Sequence, residues 1–346
     1  VTPDDLVRVY ATTGAPLPYS TVDPKETIYD RLTSRARSTA ARTGRDISFQ
    51  QAMAAQQAGL FNDAVMRYFG AAWTEFDTGA PLDQLSALQG MEDEEFGGTD
   101  VIVTNGYDRI FQPLSNGYEI RTGAAVSSIS QTASDITVEY SGGTISADAV
   151  ILTVPLGVLK AGSIQFSPGL STTKLAAINR VGFGTVNKVV LEFAQATWPS
   201  GLQYYGFCRA VGASGRACYA MNVKRLNSRA NVLVVIYTGS EAIRLETLSD
   251  AQATQDALAG IRPILGATPP ALKSSRVTRW KNEAFSKGSY SFAAVGTKAT
   301  DFDTIARPQG RLYFAGEHTN GAYRGTVHGA YMSGQRAAAE VVATLA

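Results

Sequence analysis

Two histidines, a carboxylate and a series of small residues are crowded between Leu312 and Ala338, and their types and spacing are those of a site. Leu312, Tyr313 and Phe314 form a short apolar run, and Ala315, Gly316 and the carboxylate of Glu317 follow it. His318 and His328 are the only histidines in the chain. Thr326 suits a helix N-cap, with a helical pattern from there to the chain end. Along that helix Gly325, Gly329, Ser333 and Ala337 make one stripe of small residues, and Ala330, Gly334 and Ala338 make a second. Small residues spaced by four allow another backbone or a flat ligand to approach closely. Free amides at the helix start, on the positive end of its dipole, favour an electron-rich group. Two features lie upstream. Lys188 interrupts an otherwise apolar strand pattern, where a lysine is costly to bury unless it is paired or solvated. Glu92, Asp93, Glu94 and Glu95 form an acidic run, readable as a solvated loop or as a rim that draws in cations.

Elements must position these groups. Residues 1–96 read as helical, with few strand signals. Pro3 with Asp4 and Asp5 opens one helix, Pro24 with Lys25 and Glu26 another, and Ser48 to Ala64 has helical composition. From Gly97 the pattern turns to strands. Val101 to Thr104 and Tyr118 to Arg121 read as short strands, and Ala125 to Ile129 pairs with Ile136 to Tyr140. Asp148 to Val154 is continuously apolar, as expected of a strand covered on both faces. Val181 to Phe193 alternates as a strand, and others are expected at Tyr204 to Cys208, Cys218 to Asn222 and Asn231 to Thr238.

A chain of 346 residues can hold two cores at about 100–200 residues per domain. With 45% hydrophobic and 18% charged residues it has the composition of a soluble globular protein. A formal net charge of +1 gives no reason to expect a nucleic-acid partner. No apolar run approaches the roughly 18 residues that span a bilayer, so no membrane partner is expected. Cys208 and Cys218 lack a zinc-like partner set, and no metal site is expected. They flank a turn-like stretch and are either bridged across a hairpin or two unrelated thiols. Nothing in the sequence chooses between a cytoplasmic and an exported protein.

The string AGEHT from Ala315, with GTVHGAYMSG from Gly325, resembles the closing motif of the flavin-dependent amine oxidases. That family includes polyamine oxidases, monoamine oxidases and lysine-specific histone demethylases. Two upstream blocks match in the same order: VGFGTVNKVVLEF from Val181 and VTRWKNEAFSKGSYSF from Val277. The resemblance implies a mixed α/β (α+β) fold of two interleaved domains. An incomplete Rossmann-like FAD-binding domain would take 97–158 and 308–346, and a mixed-sheet plus helical substrate domain would take 1–96 and 159–307. It implies hydride transfer from an amine to flavin N5, hydrolysis of the imine, and reoxidation by O2 with release of H2O2. Lys188 would hold a water at N5, Trp280 would lie against the flavin ring, and Tyr323 would wall the substrate nitrogen. Val126, Thr153, Tyr290, Gly316, Glu317, Thr326, Val327 and Ala330 would face the cofactor. The acidic run, with Glu92 and Asp93, would then steer cationic amines. The AGEHT loop has no cysteine, so the FAD is expected to be non-covalent.

The sequence departs from the family in one respect. The opening strand, GxGxxG loop and helix that cradle a pyrophosphate have no counterpart in it. The nearest string, Gly182 to Asn187, lacks the third glycine and lies in a strand pattern. The expectation is that this chain alone binds FAD poorly or not at all, and that a missing N-terminal segment, in cis or as a separate chain, restores it. Two alternatives follow: a non-catalytic fragment or subunit of the same fold that binds no flavin by itself, or an amino-acid oxidase, for which Arg324 is the candidate carboxylate ligand.

Overall fold

A computed structural model describes residues 6–90, 94, 103 and 106–345. The chain opens with β1 (Val7–Tyr10), followed by α1 (Tyr19–Thr43), α2 (Phe49–Ala54), α3 (Ala64–Phe69) and α4 (Phe76–Thr78). A π-helical turn, Gly70–Glu75, joins α3 to α4. Next come α5 (Asp108–Phe111), β2 (Val126–Gln131), β3 (Ile136–Tyr140), β4 (Gly143–Ala147) and β5 (Val150–Leu152). They are followed by α6 (Leu156–Ala161), β6 (Gln165–Ser167), α7 (Thr172–Arg180), β7 (Gly182–Phe183) and β8 (Asn187–Phe193). Then come β9 (Tyr204–Phe207), β10 (Tyr219–Asn222), β11 (Val232–Tyr237), α8 (Gly239–Glu246), α9 (Asp250–Gly260) and α10 (Arg262–Leu265). The last elements are β12 (Leu272–Val277), β13 (Ser291–Phe292), α11 (Asp301–Ala306), β14 (Leu312–Phe314) and α12 (Val327–Leu345).

The fold is mixed α/β. Its largest sheet has six strands in the order β1-β9-β10-β11-β8-β12. Alternation along β8 sends Val189, Leu191 and Phe193 into one core, where Leu233 and Val235 of β11 meet Ala242, Leu245 and Ala253 of α8 and α9. The opposite face packs Cys218 and Ile236 against Tyr29, Phe69 and the other apolar residues of α1–α3. A four-stranded sheet, β4-β3-β2-β6, and a parallel pair, β5-β14, form the second group, with Ile129, Leu152 and Phe314 in a shared core. Between β7 and β8 the backbone is close to the 79–80 turn. A Cβ on Gly184 would stand 2.1 Å from the Gly79 carbonyl oxygen, so only glycine fits.

Several sequence expectations need correction. Val7–Tyr10 is a strand in the segment read as helical, and pairs in parallel with β9. α1 begins at Tyr19, five residues before the expected Pro24 start, and Pro24 lies inside it. The helix expected over Ser48 to Ala64 is α2 alone, fixed by a Ser48–Gln51 capping box and followed by a short 3-10 turn. Among the described residues Tyr118 to Arg121 pairs with no strand, and Tyr118 and Ile120 are exposed. β5 is shorter than the apolar run, and Ile151 is exposed on one face rather than covered on both. The strand expected at Val101 to Thr104 lies mostly outside the described residues. Cys208 and Cys218 are both free thiols, buried in the helix-side core. Burial pushes the Cys208 thiol up to about 11 and that of Cys218 to about 12.

Candidate active site

The three sequence blocks meet on adjoining elements. At the head of β8, the Lys188 amide donates to Thr278 Oγ1 at 2.8 Å, and the Thr278 amide returns a bond to the Lys188 carbonyl at 3.0 Å. The Lys188 ammonium is pushed below the usual lysine range by burial. Two residues beyond Thr278 stands Trp280, 41% exposed, its carbonyl accepting from the Gly288 amide and Ser286 Oγ, each at 2.8 Å. Its own amide donates to Asn187 Oδ1 at 3.3 Å. The neighbours of Lys188 and Trp280 are therefore bonded to one another.

The Tyr290 ring lies close to both Gly79 and Gly325. A Cβ on Gly79 would lie 2.7 Å from the ring, and one on Gly325 3.4 Å away. The Tyr290 hydroxyl donates to the Phe76 carbonyl. Next to it, Glu317 accepts from the Ser291 amide at 3.2 Å, Ser291 Oγ at 2.6 Å and the Gly325 amide at 2.7 Å. Burial raises the Glu317 carboxyl, and these three donors oppose that shift.

The parallel pair β5-β14 ends beside this carboxylate. The Ala315 amide donates to the Leu152 carbonyl at 3.0 Å, so exposed Thr153 and half-buried Gly316 leave neighbouring strand ends. Gly316 has a φ of +125° and donates to Ser333 Oγ at 2.8 Å. Thr326 caps α12 as expected, accepting from the Gly329 amide at 3.0 Å. The Val327 amide, at the first helical position, has no acceptor among the described residues. Of the two small-residue stripes, Gly329, Ser333 and Ala337 are buried against protein, whereas a Cβ on Gly334 would meet nothing within 4 Å. The stripe of Ala330 and Gly334 is thus the open one. Val126 begins β2 opposite Tyr140, half-buried. His318 is fully enclosed, and burial lowers its pKa to about 4, so it is neutral at physiological pH.

Tyr323 is brought to the acidic run. Its hydroxyl donates to Glu94 Oε2 at 3.0 Å, and its ring stands edge-on to His328 at 5.2 Å. Glu92 and Asp93 lie outside the described residues. Arg324 is buried, donating to the carbonyls of Gly321, Gln89 and Gly90 at 3.0–3.1 Å.

Sequence reading passed over a cavity of about 810 Å³ between α1 and the six-stranded sheet. Tyr68, Trp73, Phe76, Tyr204 and Tyr219 form its aromatic walls, and Asp23, Glu26 and Asp30 of α1 line one side. Phe76 and Tyr219 meet edge-to-face at 5.1 Å, and Tyr219 and Tyr204 at 6.1 Å. The residue whose carbonyl holds Tyr290 is therefore also a wall of the cavity. Aromatic faces with carboxylates nearby suit a cation with an apolar body. The signal in the sequence was the spacing of Asp23, Glu26 and Asp30 on one helical face, which alone reads as a solvated surface.

The fold and site define a mixed α/β protein with the Glu317 loop at the ends of a parallel strand pair and an aromatic, acidic cavity under α1. Residues 18–342 match the family of flavin containing amine oxidoreductases, and the chain belongs to that family. It is 35% identical over 277 residues to lysine-specific histone demethylase 1B of Mus musculus, covering 78% of this chain and 33% of that protein. It is 37% identical over 265 residues to polyamine oxidase 4 of Oryza sativa subsp. japonica, covering 75% of this chain and 53% of the relative. The chain thus spans from a third to about half of the length of these two relatives. A putrescine oxidase structure bound to putrescine shares the fold, with a TM-score of 0.79 at 20% identity over 97% of this chain and 81% of that one. Among the described residues no helix is long and apolar enough to cross a membrane, and no cluster of His, Cys, Asp or Glu could hold a metal ion.

Proposed function

We propose that this chain carries the amine-binding and part of the flavin-binding machinery of an FAD-dependent oxidase of small cationic amines. The observation that carries the reading is the aromatic and acidic cavity, whose Phe76 wall is bonded to Tyr290 amid the three family blocks. The names of the polyamine and putrescine oxidases among its likenesses agree with a substrate of that class. FAD, when bound, supplies the two-electron chemistry that converts an amine to an imine, with O2 as acceptor and H2O2 as product.

The residues present fit a flavin nucleotide on two grounds: the Val327 amide at the start of a 19-residue helix, which has no acceptor among the described residues, and the open Ala330–Gly334 face. Val126, Thr153, Gly316, Thr326 and Val327 would contact it. Glu317 would act mainly by fixing the loop that carries Gly325. Trp280 and Tyr290 would present flat apolar surfaces to the cofactor and the reacting carbon. Lys188, kept easier to deprotonate by burial, would hold a water and exchange a proton with it. Tyr323 and Glu94, with Glu92 and Asp93, would form the acidic approach, and the two interleaved domains would divide these roles as the resemblance implies. The amino-acid oxidase alternative is less well supported, because Arg324 is already engaged by backbone carbonyls.

The test loads the protein with FAD, supplying a GxGxxG-bearing N-terminal segment in cis or as a second chain, and titrates it anaerobically with a diamine, a polyamine and a monoamine, following loss of the oxidised-flavin absorbance. Bleaching by the di- and polyamine, at lower concentration than by the monoamine, is expected, with H2O2 appearing on admission of air. A preparation that binds FAD and is bleached by no amine would refute the oxidase reading, and one that takes up no FAD even with that segment supplied would establish the non-catalytic reading instead.

A further inference from the structure

Beneath Lys188 and Trp280 lies a buried carboxylate that the reading above does not use. Glu246 ends α8 and is 7% exposed. No cation pairs with it among the described residues. Its Oε1 accepts from Asn187 Nδ2 at 2.7 Å and from the Lys281 amide at 2.9 Å, and its Oε2 accepts from the Asn282 amide at 2.8 Å. The Glu246 carbonyl accepts from Asn282 Nδ2 at 3.4 Å. Asn187, fully buried, spends its other polar contacts on the same neighbourhood. Nδ2 also donates to the Ala242 carbonyl at 3.1 Å, and Oδ1 accepts from Thr278 Oγ1 at 2.9 Å and from the Trp280 amide at 3.3 Å.

The bonds form a closed set. Asn187 immediately precedes Lys188, Thr278 holds the Lys188 amide, and Lys281 and Asn282 immediately follow Trp280. Thr278 is thus bonded to the side-chain amide of Asn187, and the backbone that follows Trp280 is bonded to Glu246. Burying a carboxylate without a cation is costly, and three convergent N–H donors are the compensation that makes it tolerable. A glutamine would match this donor set badly, since its NH2 would face a peptide N–H or the NH2 of Asn187. A chain needing only to fill this space could use an apolar side chain at lower cost.

We propose that Glu246 is a positioning residue that locks Trp280 and Lys188 into a single relative arrangement at the site. Its importance to catalysis rests on the functional reading above; its effect on Trp280 does not. Through its bonds to the Lys281 and Asn282 amides, the Glu246 side chain draws the 280–282 backbone down onto α8 and holds the Trp280 ring in one orientation. Without those bonds the turn is released while the sheet beneath it stays intact.

The experiment compares Glu246→Gln with the parent, each measured with and without Trp280→Phe, so that the emission of Trp280 is obtained by difference from that of Trp73 and Trp198. It is first done without added flavin. The expected result is a red-shifted Trp280 emission with stronger acrylamide quenching, while the far-ultraviolet circular dichroism is unchanged. In FAD-loaded protein, kcat should fall about 10–100-fold with KM little changed, as expected when reacting groups are misplaced but binding is kept. An unaltered Trp280 emission and quenching in Glu246→Gln, whatever its stability, overturns the proposal. If Glu246→Gln does not fold, Glu246→Asp withdraws the carboxylate from the Lys281 and Asn282 amides while leaving Asn187 in place, and the same emission criterion decides. Failure of any amine to bleach the parent flavin would refute the functional reading, and the fluorescence would still decide the role of Glu246.

Discussion

Ser291 is tied to Glu317 twice, by its amide at 3.2 Å and by its hydroxyl at 2.6 Å. This pair joins the GSYS turn to the AGEHT loop, the two blocks farthest along the chain, and the Gly325 amide completes the set at 2.7 Å. Replacing Glu317 by alanine strands three donors in a buried setting, so stability should fall by about 2–4 kcal/mol. Glu317→Gln keeps one acceptor oxygen and should lose less than half as much. Urea unfolding of the three proteins measures this, and an alanine variant as stable as the parent would mean the carboxylate holds nothing together.

Glu75, at the end of the π-helical turn, predicts a pH dependence. Its oxygens accept from the Leu82 amide at 3.1 Å and from Thr238 Oγ1 at 3.0 Å, yet burial raises its pKa to about 7. The folded state therefore binds the proton more tightly than the unfolded chain, whose glutamate titrates near 4.5. That contribution is complete below the unfolded pKa and is lost as pH rises through the folded one. Relative to Glu75→Gln, the parent should lose roughly 1–3 kcal/mol between about pH 4.5 and pH 7, then stay level. Denaturant midpoints across that range provide the measurement, and parallel curves for the two proteins would rule the effect out.

Lys188→Met in FAD-loaded protein should slow flavin reduction by about 10²–10⁴-fold, the usual cost of losing a positioned proton-transfer group. The absorbance of the bound flavin should change little, because the Lys188 backbone is held by Thr278 and not by its own side chain. Rapid-mixing reduction under anaerobic conditions gives the rate. A variant reduced as fast as the parent would remove Lys188 from the chemistry.

What could be read beforehand was local. The strand-loop-helix around Glu317, the alternation of β8 and the cap at Thr326 each lie within a short stretch of sequence, and all are present in the fold. What could not be read depends on distant partners. Val7–Tyr10 has four residues and becomes a strand because β9 accepts it. Glu246 sits in an eight-residue helix whose charges read as solvent-facing, and only the arrival of Asn187 and the 281–282 amides makes it a buried anchor. The cavity was hidden for the same reason, since its carboxylates come from α1 and its rings from α3, the π-helical turn, α4, β9 and β10.

The parallel pairing of Val7 with Tyr204 also bears on biosynthesis. β1 leaves the ribosome roughly 200 residues before β9, which at about 5–20 residues per second is a wait of roughly 10–40 s. The hydrogen-bonding edge of β9 is therefore never made before the strand that covers it, which limits edge-to-edge association between neighbouring nascent chains. The waiting falls instead on β1, a four-residue segment with a charged Arg8 at its second position and poorly suited to self-pairing. The order of synthesis thus leaves the less adhesive of the two strands exposed.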